Sequence, residues 1–134
     1  MNTSIPLNET VILMLEAPEA ISIEIELGIN LLYITDPASP FAGCGGAVGY
    51  TIELAADGGA FEPKISDKFE GRVFGALHTH EHTIDLPEGK GRYMLRFTSR
   101  AEPHSIGHNL CLTKLAQLRA EAIDISNCTV LHQL

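Results

Sequence analysis

The chain has 134 residues, 45% of them hydrophobic and 19% charged, with nine Lys or Arg against 17 Asp or Glu for a formal net charge of −8. That length and apolar content suit one globular domain over residues 1–134 with its own core, and they exclude a disordered or multidomain chain. No apolar run approaches the roughly 18 residues that span a bilayer, and the acidic excess excludes general nucleic-acid binding, which needs a basic footprint.

The first residues carry no basic n-region, and the apolar run 10–15 is too short for a secretory h-region, so the chain is expected to be cytoplasmic. Residues 10–15 instead predict a buried strand. Ile21, Ile23, Ile25 and Leu27 alternate with Ser22, Glu24 and Glu26, which predicts a half-buried strand. Residues 31–34 give a weaker strand signal. Val48, Tyr50, Ile52 and Leu54 alternate with Gly49, Thr51 and Glu53 and predict another strand. Phe74, Ala76, His78, His80, His82, Ile84 and Leu86 share one parity, Thr79, Glu81, Thr83 and Asp85 the other. An extended strand therefore puts three imidazoles on its apolar, inward face. Tyr93, Leu95 and Phe97 alternate with Arg92, Met94 and Arg96 to give a further strand. Leu112, Leu115, Leu118, Ala122 and Ile123 follow a spacing of three and four in a stretch of high helix propensity, which predicts one short C-terminal helix over 112–123. Residues 128–134 are a weak strand candidate. Turn residues at 17–19, 36–40, 57–59 and 87–91 separate these runs. The fold class that follows is mainly β: a single-domain antiparallel β-sandwich or flattened barrel with one short C-terminal helix. A two-residue turn at Glu88-Gly89 would pair His82 with Leu95, His80 with Phe97 and His78 with Ser99 in a hairpin.

Charge is divided unevenly. Glu9, Glu16, Glu19, Glu24, Glu26, Asp36, Glu53, Asp57 and Glu62 all precede the first basic residue, Lys64; eight acids and all nine bases make up the rest. An acidic first half suits a basic protein partner, because complementary fields speed encounter. The principal expectation is a small, non-enzymatic binding or inhibitory module, with no cofactor, that meets a basic protein through Glu24, Glu26 and Glu53. The open edges of so small a β protein also allow homo-oligomers.

The alternative rests on histidine. Five of the six fall between positions 78 and 108, including the pair His104 and His108. Imidazole is the commonest transition-metal ligand, and two strand histidines at i and i+2 with one or two others can close a three-ligand site with an open position. His78, His80, His82 and His104 are the candidate ligands for a divalent transition metal: zinc, iron, manganese or nickel. Cys44, Cys111 and Cys128 have no metal-type spacing. Cys44, in a glycine-rich loop, is either a nucleophile or an ordinary loop residue. Arg92, Arg96 and Arg100 with Lys90 either hold an anion or pair across strands with acids such as Glu24, Glu26 or Glu81.

Two short stretches resemble known families. Gly71, six residues, His78-Thr79-His80, four residues, Asp85, five residues and Gly91 resemble the first metal motif of the cupins, with Asp for the family's Glu and a different first spacing. The resemblance implies a metal-dependent small β-barrel enzyme with His78 and His80 as ligands. Residues 83–97, with Asp85-Leu86-Pro87-Glu88-Gly89 followed by Tyr93-Met94-Leu95, resemble the C-terminal hairpin of the competence protein J family of nuclease inhibitors. That resemblance implies a β-sandwich acting as an acidic partner protein.

Overall fold

The computed structural model describes residues 3–16, 22–34, 45–56, 58–87, 91–102, 105–107, 110–118, 123–124 and 128–133. Eleven strands occur in these segments: β1 (Thr3–Ile5), β2 (Thr10–Glu16), β3 (Ser22–Ile34), β4 (Gly46–Ala56), β5 (Glu62–Gly71), β6 (Val73–Asp85), β7 (Arg92–Ala101), β8 (Ser105–Gly107), β9 (Leu110–Leu118), β10 (Ile123–Asp124) and β11 (Cys128–Gln133). They form two antiparallel sheets. The first runs β1-β9-β3-β6, with β8 also on β3 and β10 on β9; the second runs β11-β2-β7-β4-β5. No helix among the described residues is long and apolar enough to cross a membrane.

Alternation builds the core. Ile23, Ile25, Leu27 and Ile29 of β3 point inward and are buried, as are Val48, Tyr50, Ile52 and Leu54 of β4 and Tyr93, Leu95 and Phe97 of β7. Side chains from the two sheets meet in one continuous cluster, the arrangement of a β-sandwich. Hydroxyls of Tyr93 and Ser99 inside it are satisfied. The Tyr93 hydroxyl donates to the Pro87 carbonyl at 2.6 Å and the Ser99 hydroxyl to the Pro6 carbonyl at 2.9 Å. Ser105 of the first sheet accepts the Ala47 N–H of the second at 3.0 Å. Gly46 makes room for this bridge: a Cβ there would sit 2.8 Å from the Ser105 oxygen.

Two expectations fail. The expected C-terminal helix over 112–123 is strand as far as residue 118; residues 119–122 lie outside the described segments, and 123–124 are β10. The physical reason is a β-bulge. Lys114 pairs with Glu26 and Leu112 with Leu27, which leaves Thr113 as an extra residue. Leu112 and Leu115 thus lie three apart yet both pack inward, and a bulge imitates the helical period. The Thr113 hydroxyl is anchored on the Glu26 carboxylate at 2.7 Å.

The second failure is the hairpin at residues 82–95. β6 pairs with β3 in one sheet, and β7 lies between β2 and β4 in the other. His82 faces Ile25, His80 faces Leu27 and His78 faces Ile29, whereas Leu95 faces Leu13 and Leu54. Residues 83–97 therefore cross from one sheet to the other, and the turn residues 88–90 lie outside the described segments. The imidazole face meets the apolar face across the sandwich rather than along one sheet.

Candidate metal centre

β5 and β6 are the edge strands of their sheets. Only Arg72 separates them, and Gly71 before it adopts φ 118°, a conformation open to glycine. The chain therefore turns out of one sheet straight into the other, and the two edges lie along the same side of the sandwich. Tyr50 pairs with Asp67 across β4 and β5. Both point inward, toward the even-numbered histidines of β6.

Four side chains converge there. The Tyr50 hydroxyl lies 2.6 Å from His82 Nε2, 3.0 Å from His80 Nδ1 and 3.5 Å from Asp67 Oδ2. The same Asp67 oxygen is 3.3 Å from His80 Nδ1 and 3.9 Å from His82 Nε2. One ligand atom each from Asp67, His80 and His82 falls within 4.8 Å of the others, close enough for one metal ion. The His80 ring stacks on Phe69, centroids 4.0 Å apart and 12° from parallel, which fixes its orientation. Exposure is graded across the group: the His82 side chain is 14% exposed, His80 33% and Asp67 44%. Asp67 forms the mouth of the site and His82 its base.

Electrostatics follow the burial. Desolvation pushes the Tyr50 hydroxyl well above its ordinary pKa, reinforced by the charge of Asp67 and the hydrogen bond to it. His82 is lowered, first by desolvation and also by its like neighbour His80, against the opposing pull of Asp67. Both groups are held neutral. The Tyr50 hydroxyl has one proton for three neighbours, so it can donate to only one of them, and the other two contacts need an imidazole N–H as donor or another group.

The expected ligands divide. His80 and His82 are in the cluster. His78 shares their parity but is exposed and is not among the residues whose ligand atoms cluster. His104 lies outside the described residues, as do His108 and Cys44. Sequence reading missed Asp67, although Ile65, Asp67 and Phe69 alternate with Ser66 and Lys68, and it read Tyr50 only as a core residue.

The expected acidic binding residues do not share a surface. Glu24 and Glu26 lie on the outer face of the first sheet, where Glu24 pairs with Lys114 at 2.8 Å. Glu53 lies on the outer face of the second and takes a bidentate contact from Arg96 at 2.8 and 2.9 Å. The hydrogen bond from Arg96 holds the Glu53 carboxyl below its ordinary pKa. Two of the three β7 arginines pair with acids: Arg92 finds Glu16 and Arg96 finds Glu53.

No family model matches the chain, and no curated protein matches it. Solved structures similar to it include GEBA250068378 from Sulfurospirillum deleyianum, 13% identical over 90% of this chain and 98% of that one, at a TM-score of 0.44. The enzymatically active domain of tailspike protein 4 from bacteriophage CBA120 is 10% identical over 97% of this chain, with a TM-score of 0.42, and a CBM4 structure is 4% identical over 84%, with a TM-score of 0.41. The chain spans 15% and 58% of the lengths of those two. Likeness at these scores carries no inference about what the chain does.

Proposed function

We propose that this chain is a metal-binding β-sandwich domain, holding one divalent transition metal with His80, His82 and Asp67 and with the Tyr50 oxygen at the fourth corner. The observation that supports the reading is the size of the cage. Zinc lies about 2.0–2.2 Å from nitrogen and oxygen ligands, so the donors of a tetrahedral site stand roughly 3.3 Å apart. Five of the six donor separations here bracket that distance, from 2.6 to 3.9 Å. Imidazole and carboxylate together suit zinc and iron. The bound metal would clasp β6 to β4 and β5 across the sandwich. It replaces the ligand set His78, His80, His82 and His104 with one that keeps only the middle pair, and it assigns no reaction.

Elemental analysis of untagged protein, expressed without added metal and dialysed, tests this. Near-stoichiometric metal that is lost in both His80→Ala and Asp67→Asn, with the fold retained, supports the site. A stably folded protein that takes up no zinc, iron, manganese or nickel, even when each is added back, overturns it.

A second reading keeps the basic partner. Glu24, Glu26, Glu81 and Asp85 share the outer face of the first sheet with a single described base, Lys114. Glu81 and Asp85 lie on the edge strand β6 itself. We infer that this face, without Glu53, is where a basic protein would dock. Charge reversal at Glu26 and Glu81 should slow association with the captured partner at low salt; an unchanged rate sinks the idea.

A further inference from the structure

The outer face of the second sheet carries a groove of about 590 Å³, and Tyr50 and Asp67 of the metal centre are among its lining residues. Cross-strand register builds it. Thr10 faces Thr98, Thr98 faces Thr51 and Thr51 faces Ser66, so a row of hydroxyls crosses four strands. The adjacent row is Arg100, Gly49 and Lys68. Gly49 forms the gap between the two cations.

Glycine at this position is not required by the backbone. Its φ is not positive, and the register shift of β4 lies elsewhere, between Ile52 and Glu53. A Cβ on Gly49 would meet nothing closer than two backbone oxygens at 4.0 Å. An interior strand glycine costs stability and commonly marks either a bulge or the close approach of a ligand, and here no bulge accounts for it.

Arg100 is the second anomaly. Acids outnumber bases 17 to nine. The other described bases are engaged: Lys64 with Glu62, Lys68 with Glu70, Arg92 with Glu16, Arg96 with Glu53, Lys114 with Glu24, and Arg72 over the Phe74 ring. Among the described residues no carboxylate or ring partners Arg100. An arginine with no carboxylate partner among the described residues, beside an open floor and a row of hydroxyl donors, has the chemistry of an oxyanion site.

We propose that this groove binds an oxyanion, phosphate or carboxylate, through a bidentate contact to Arg100. Thr51 and Thr98 donate to its remaining oxygens, and the absent side chain of Gly49 provides the room. Lys68 contributes less, because Glu70 and Glu102 lie beside it. Tyr50 and Asp67 border both this groove and the metal centre, but the oxyanion contacts proposed here come from Arg100, Thr51 and Thr98, none of which is a metal donor.

Amide chemical shifts during titration with inorganic phosphate, with glucuronate and with neutral glucose, at constant ionic strength, test the proposal. The expected result is a saturable shift at Gly49, Thr51, Lys68 and Arg100 with at least one of the anions and none with glucose. Phosphate alone identifies a free tetrahedral oxyanion, and glucuronate identifies a sugar-borne carboxylate. Arg100→Gln and Gly49→Val should each weaken binding about tenfold or more, while Gly49→Val melts no lower than the parent. Three outcomes would overturn the proposal: no saturable shift with either anion, shifts of equal strength at other cationic sites, or an Arg100→Gln dissociation constant within twofold of the parent.

Discussion

Zinc should raise the melting temperature of this protein by about 10 °C, and the geometry of the metal centre sets the figure. Two of the four donors, Tyr50 and Asp67, sit in the second sheet, and His80 and His82 sit in the first. Unfolding separates them, so the metal binds the native state far better than the unfolded chain. At free zinc one hundred times the dissociation constant, that linkage is worth about 2.7 kcal/mol. For a domain of this length each kcal/mol shifts the midpoint by roughly 3–5 °C. The assay is calorimetry of metal-stripped protein with and without buffered zinc, repeated on Asp67→Asn and His80→Ala. Tyr50→Phe, which keeps the ring packed against Phe69, should retain a reduced shift because three donors remain. The shift should also shrink as the solution is acidified, because the ligands must be deprotonated to hold the metal. An equal zinc response in Asp67→Asn and His80→Ala would refute the reasoning, since it would move binding to other groups. So would no response in the parent at saturating zinc.

The remaining expectations concern the apo fold. His82 is held neutral by burial, so its stabilisation is complete above about pH 6.5 and declines as pH falls from there toward its lowered value. Urea midpoints between pH 8 and pH 5 should show a smaller decline in His82→Gln than in the parent; parallel curves would contradict this. Glu53 is lowered by Arg96, so its contribution is full above about pH 4.3 and disappears as pH falls through its folded value. Glu53→Gln should cost about 1 kcal/mol at pH 7 and much less at pH 3, measured by denaturant titration. Leu95 lies fully buried between Leu13 and Leu54, and Leu95→Ala should cost about 2–5 kcal/mol; a loss under 1 kcal/mol would mean the core collapses around the cavity. Gly49→Val, by β-propensity and lowered chain entropy, should raise stability by up to about 1 kcal/mol in the same assay.

The fold was legible where alternation is clean. Residues 22–27, 48–54 and 93–97 carry apolar and polar residues in strict alternation, and they are strands in the positions expected. Periodicity misled at Leu112 and Leu115, because one extra residue in a strand shifts the inward parity and spaces two core leucines as a helix would. Local pattern also could not decide the partner of β6. Leu95 and Phe97 offer an apolar face that suits a hairpin with residues 80–82, yet Ile25 and Leu27 of β3 offer an equivalent one. An inward face can meet its apolar counterpart along one sheet or across two, and strand alternation reads the same in both cases.

The same ambiguity hid half of the candidate site. Once β6 is paired with β3, the histidine face looks across the gap between sheets, and its partners must come from the opposite edge. That edge is β5, which reads as polar in sequence because Glu62, Lys64, Lys68 and Glu70 face solvent. Inside that charged run Ile65, Asp67 and Phe69 keep the apolar parity, and Asp67 is the one member that cannot be there for the core. A carboxylate on an inward parity and histidines on another inward parity each cost desolvation when alone. Placed together across two edges, with a tyrosine hydroxyl between them, they satisfy one another, and the same arrangement leaves a set of donors at metal-binding separations. The residues on the wrong face for a core were thus the signal, but joining them required the single-residue crossover at Arg72, which places both edges on one side of the sandwich.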